Sequence, residues 1–144
     1  MSDTNNGTAP APWHLWVVGG LMVLWNGFGV FDFGATVLRF EPYVSQFSQE
    51  MMDYIYTWPA WLFVVWGVAV IGGFTGSVLL LFRHRLAVAA FAVSLASAIV
   101  SMAAGYLMPT PEEMQNPAMT AIIILVALGL LGYAMWMQRR GVLK

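Results

Sequence analysis

Four long apolar runs dominate this chain and leave it few ways to fold. They cover residues 13–38, 59–82, 86–108 and 117–138. Each holds about 20 residues or more, and a helix rising about 1.5 Å per residue then crosses a hydrocarbon core of about 30 Å. Lipid offers backbone N–H and C=O groups no partners, so each run must satisfy its own hydrogen bonds as a helix. The expected fold is all-α: an integral membrane four-helix bundle forming one domain over residues 13–138.

Composition agrees. Only 9% of the 144 residues are charged, against about 25% in soluble domains, too few to cover a water-soluble surface. A net charge of −1 without a basic stripe excludes a nucleic-acid partner. The absence of cysteine removes disulfides, thiolate catalysis and iron–sulfur ligation. The lipid bilayer is the first expected partner, and other copies or other membrane subunits the next.

The segments between the runs have their own logic. Residues 1–12, MSDTNNGTAPAP, are small, polar and Pro-containing, and are expected to form a disordered tail. Val44, Phe47, Met51, Ile55 and Trp58 recur at helical spacing with acids on the other side. This predicts an interfacial amphipathic helix over about 48–57, with Ser48 as N-cap. Thr110-Pro111-Glu112-Glu113 reads as a capping box, and Asn116 as the cap of the fourth run. Residues 139–144 read as a basic C-terminal tail.

Arg83 and Arg85 lie between runs two and three, and Arg139, Arg140 and Lys144 follow run four. The other two connections hold Arg39 alone among acids. The positive-inside rule then predicts cytoplasmic termini.

Polar residues inside the runs are the candidates for function. In LWNGFGVFDFG, residues 24–34, Asn26 falls near mid-membrane and Asp32 near the interface. Asp32, Thr36 and Arg39 share a helix face, with Asn26 about 120° away. Intramembrane acids often lie on transport paths. A structural alternative has Asp32 anchored by Arg39 or Thr36, and Asn26 bonded to another helix. The candidate polar site is Asn26, Asp32, Thr36 and Arg39. Gly27, Gly29, Gly72 and Gly76 are candidate helix-packing positions, since small residues let backbones approach closely. Span three adds Ser94, Ser97, Ser101 and Gly105. His14 and His84, at run boundaries, are expected to sit at the interface rather than to hold haem. No catalytic constellation is present, and neither a metal nor a cofactor is expected.

The segments PWHLWVVGGLMVLWNGFGVFD, TWPAWLFVVWGVAVIGG and GSVLLLFRHRLAVAAF, with the ending Arg139-Arg140-Gly141-Val142-Leu143, resemble a group of small bacterial four-span proteins commonly labelled sugar transporters. The resemblance covers nearly all of residues 12–143 and implies a bacterial inner-membrane protein. It brings no functional motif. Two classes of function are therefore expected: a non-enzymatic accessory or structural subunit in a homo-oligomer or larger membrane complex, or a small oligomeric transporter of a sugar or other solute.

Overall fold

A computed structural model describes residues 7–144. Six helices follow in order: α1 (Trp13–Val37), α2 (Glu41–Val44), α3 (Gln49–Tyr56), α4 (Ala60–Leu81), α5 (Leu86–Leu107) and α6 (Pro117–Arg139). A single 3-10 turn, Glu112–Met114, precedes α6. Four of the helices, α1, α4, α5 and α6, are long and apolar enough to span a membrane. The chain is an all-α membrane protein with four spans. The predicted helix between spans one and two is α3, capped by Ser48 Oγ, which accepts from Met51 N–H at 3.1 Å.

Apolar burial drives no association inside lipid, so packing and interhelical hydrogen bonds must hold the spans together. Glycines provide the packing. Antiparallel α1 and α4 interlock by placing a large side chain against a glycine of the facing helix. Phe74 lies over Gly27, Val70 over Gly29, Leu81 over Gly19, and Phe33 over Gly67. On the other side of α4, Gly72 faces the Ala90 carbonyl and Ser94, and Gly76 faces the Phe91 ring. Helix α4 therefore sits in the middle, with α1 on one side and α5 on the other, and α6 packs on α5.

Three spans end in a Schellman motif, with the residue after the C-cap in the left-handed region. That residue is Arg39 (φ 53), Arg83 (φ 57) and Gly141 (φ 72). At the end of α1, Arg39 N–H bonds Thr36 O and Phe40 N–H bonds Ala35 O. Left-handed geometry costs a non-glycine residue about 1–2 kcal/mol, and both arginines have compensating contacts. The Arg39 guanidinium lies 4.0 Å from the Tyr56 ring centroid. Arg83 donates to the carbonyls of Val142 and Ala9.

The end of the bundle that carries the 83–85 turn and the C-terminus, here called the base, is tightly closed. Leu15, Leu80, Phe91, Ala134 and Met137 form its core. Two expectations are corrected here. The C-terminal residues are not a free basic tail: Val142 and Leu143 are buried in the base core, and the backbones of Arg83, Arg85 and Lys144 pair at 2.7 Å. The disordered tail expected for residues 1–12 lies outside the described residues over 1–6, whereas Ala9 is fixed by Gly141 O and the Arg83 side chain. Both segments are docked through backbone groups of the two turns that follow α4 and α6, Arg83 O and Gly141 O, and through the Arg83 side chain.

The expected capping box does not form either. The 3-10 turn has no side-chain cap. Thr110 Oγ1 instead lies 2.5 Å from Gly105 O and 3.0 Å from Tyr54 Oη, while Glu113 accepts from Ser48. The Gly105 carbonyl at the end of α5, together with Tyr54 of α3 and its cap Ser48, takes the bonds that the box would have used. Asn116 does cap α6, accepting from Met119 N–H at 3.0 Å.

Candidate functional site

The bundle is not closed along its whole length. Helices α1 and α6 meet at the base, where His14 Nδ1 lies 2.6 Å from Tyr133 Oη and the His14 ring stacks on Trp136 at 5.6 Å. Met22 of α1 and Val126 of α6 pack against the same base core, to which Leu130 belongs. Beside this core a cavity of about 440 Å³ lies between the four spans. Trp25, Asn26, Phe28, Gly29 and Asp32 line it from α1, and Trp66, Ala69, Val70 and Gly73 from α4. Helix α5 contributes Phe91, Ser94, Ala98, Ser101 and Met102, and α6 contributes Met119, Ile123, Val126, Ala127 and Leu130. Cavities of about 300–1,000 Å³ with mainly apolar walls and a few polar groups are the usual form of small-molecule sites.

The polar groups on these walls are mostly committed to the fold. Asn26 donates through Nδ2 to Met22 O in its own helix and to Ser77 Oγ across the interface, each at 3.0 Å. Ser77, fully buried, donates in turn to Gly73 O at 2.8 Å. Ser94 Oγ donates to Ala69 O at 2.5 Å and ties α5 to α4. Gly73 is where these meet: a Cβ there would stand 2.5 Å from Asn26 Oδ1 and 3.2 Å from Ser94 Oγ.

Asp32 has a different partner from the expected ones. Its carboxylate accepts from Tyr43 Oη at 2.7 Å, while Arg39 stacks on Tyr56 and the Thr36 carbonyl accepts from Tyr56 Oη at 3.0 Å. The Schellman turn redirects Arg39 and brings α2 back over the end of α1, so Tyr43 reaches Asp32 first. Burial, then the hydrogen bond and the charge of Asp32, push the Tyr43 phenol up to about 12. The four candidate polar residues therefore do not form one site. Asn26 and Asp32 both line the cavity, because it spans a wide arc of α1; Thr36 and Arg39 do not.

Among the described residues no three His, Asp or Glu side chains come together as a metal site would require. The two histidines act separately: His14 bridges α1 to α6, and His84 Nδ1 accepts from Leu86 N–H at 3.1 Å at the start of α5.

A second cavity of about 260 Å³ lies at the far end from the base. It is lined by Trp58, by Ser101, Met102, Gly105 and Tyr106 of α5, by the 108–115 segment, and by Thr120 of α6. Helix α3 closes this end through the Ser48–Glu113 and Tyr54–Thr110 bonds. The Trp58 indole N–H has no hydrogen-bond acceptor and is buried in an aromatic cluster with Tyr54, Phe63 and Trp66.

Sequence reasoning missed Tyr43 and the aromatic wall formed by Trp25 and Trp66. Ser94 and Ser101, expected at a packing seam and counted among the few polar groups a solute could meet, lie seven residues apart and so share one helix face on the cavity wall. Comparison of the chain with protein-family models, with curated proteins and with solved structures gives no match.

Proposed function

We propose that this chain is a non-enzymatic membrane protein that holds a mainly apolar small molecule between its spans, as an accessory or carrier subunit. The observation that carries this is the 440 Å³ cavity, walled by all four spans and closed at the base. Its polar groups are engaged in structural bonds, Asn26 to Ser77, Ser94 to Ala69 and Asp32 to Tyr43. They orient helices and leave few groups free to bind a sugar, which needs several convergent donors and acceptors. An apolar guest has no such need. It also supplies the dispersion contacts that an empty cavity lacks.

The setting we propose is a bacterial inner membrane with cytoplasmic termini, alone as a homo-oligomer or beside other membrane subunits. The clustering of Arg83, Arg85, Arg139, Arg140 and Lys144 at the base supports this orientation.

The test is native mass spectrometry of protein extracted with its surrounding lipid by an amphipathic polymer. A one-to-one adduct is expected, and Ala127→Trp, which fills the cavity, should remove it while leaving the fold intact. No adduct above the non-specific lipid background in the unaltered protein would reject the proposal.

Asp32 on the cavity wall favours a second reading, gradient-driven transport of a small solute. In liposomes, Asp32→Asn should then abolish flux without unfolding. Unchanged flux would reject a coupling role for this carboxylate.

A further inference from the structure

The two cavities share a wall: Ser101 and Met102 line both. The chambers are chemically unlike. The larger is bounded mainly by aliphatic and aromatic side chains, with the Asn26 amide hydrogens, the Ser94 hydroxyl and one Asp32 oxygen engaged in the fold. The smaller is rimmed by hydroxyls and amides. Tyr106 Oη approaches Thr120 Oγ1 at 3.4 Å, a long contact that leaves both available. Gln115 donates its amide to Thr110 O, which leaves its side-chain carbonyl oxygen free to accept. Ser101, on the partition, is half-buried. The partition itself is soft, since Met has three rotatable bonds and adapts its shape readily.

We infer that the two chambers form one site for a neutral amphipath. Its apolar body occupies the larger chamber and its hydroxyl or carbonyl head reaches past Ser101 and Met102 into the smaller. This rests on the larger cavity holding an apolar molecule. A polar group buried without a partner costs about 2–7 kcal/mol, and the hydroxyls of Ser101, Tyr106 and Thr120 cluster at and beyond the partition, so the head is drawn to that end. The head is neutral because the smaller chamber is lined by no charged side chain. An anionic head would also meet the field of Glu112 and Glu113, which immediately precede Met114 and Gln115 of the lining. A cationic head in the smaller chamber would lose its water with no carboxylate in that chamber's lining to receive it.

The experiment uses the full chain in nanodiscs and measures adducts of four probes by native mass spectrometry: dodecane, dodecanol, dodecyl phosphate and dodecyltrimethylammonium. Dodecanol should be retained about tenfold better than dodecane, the factor one hydrogen bond supplies, and better than either charged probe. Ser101→Leu narrows the passage and should abolish the preference for dodecanol while dodecane binding persists. Thr120→Val removes a hydroxyl without changing size, and should reduce the same preference if the Ser101 variant does not fold. Equal retention of dodecane and dodecanol would overturn the two-chamber site and leave the apolar-guest proposal standing. Tighter binding of a charged probe would overturn the neutral head. Failure of every probe to bind would overturn both.

Discussion

Gly73 is the position where one added methyl group tests the helix interface most sharply. A Cβ there would lie 2.5 Å from Asn26 Oδ1 and 3.1 Å from Asn26 Cγ, so the amide must move. Movement breaks its bond to Ser77, a membrane hydrogen bond worth about 0.6–2 kcal/mol. Overpacking a close interface adds about 1–3 kcal/mol. The gain in helix propensity from Gly to Ala offsets about 1 kcal/mol. Gly73→Ala should therefore destabilise the protein by about 1–4 kcal/mol. In an Asn26→Ala background the obstruction is gone, and the next contact is Ser94 Oγ at 3.2 Å. There the same change should be close to neutral, which gives a coupling of about 1–3 kcal/mol between the two sites. The assay is unfolding by sodium dodecyl sulfate titrated into mild detergent, followed by helical circular dichroism for the four members of the cycle. Additivity within about 0.5 kcal/mol would mean that Asn26 does not occupy the space above Gly73, and the account of this interface would be wrong.

Three further outcomes are expected. Gly76→Leu should destabilise more than Gly73→Ala, because even a Cβ would stand 2.7 Å from two atoms of the Phe91 ring; unchanged unfolding would put that face of α4 in lipid. The Tyr43 phenol, raised from 10.0 to about 12, favours the folded state in its neutral form. That contribution is whole below pH 10 and is lost as pH rises through about 12. A tyrosinate titration of the unaltered protein against Tyr43→Phe should show this late ionisation, and Asp32→Asn should bring it only part of the way back, since burial is the larger cause; a midpoint at the ordinary value would remove Tyr43 from Asp32. For orientation, a cysteine at His84→Cys should resist a membrane-impermeant thiol reagent in whole cells while one at Glu112→Cys labels, and the reverse pattern would invert the proposed topology.

The spans were legible because the bilayer fixes both length and periodicity. Expected and observed ends of α1, α4, α5 and α6 differ by a residue or so. Ser48 and Asn116 were legible as caps because capping is a local interaction. The capping box at Thr110 failed because its members found other partners: Thr110 the Gly105 carbonyl and Tyr54, and Glu113 the hydroxyl of Ser48, the last two more than 50 residues away. Asp32 illustrates the same limit. Helix geometry put Thr36 and Arg39 on its face, but the left-handed turn at Arg39 sent the chain back and supplied Tyr43 instead. The cavity was not legible at all. Its walls come from four helices, and no single helix encodes the space between them.

An apolar molecule is proposed to reside between the four spans. Crystals of the full chain soaked with bromododecane test it directly, because bromine is located by its anomalous scattering. The account predicts a bromine peak inside the bundle, bounded by Asn26, Ala98 and Ala127. Peaks confined to the lipid-facing surface, with the cavity walls collapsed onto one another, would contradict it.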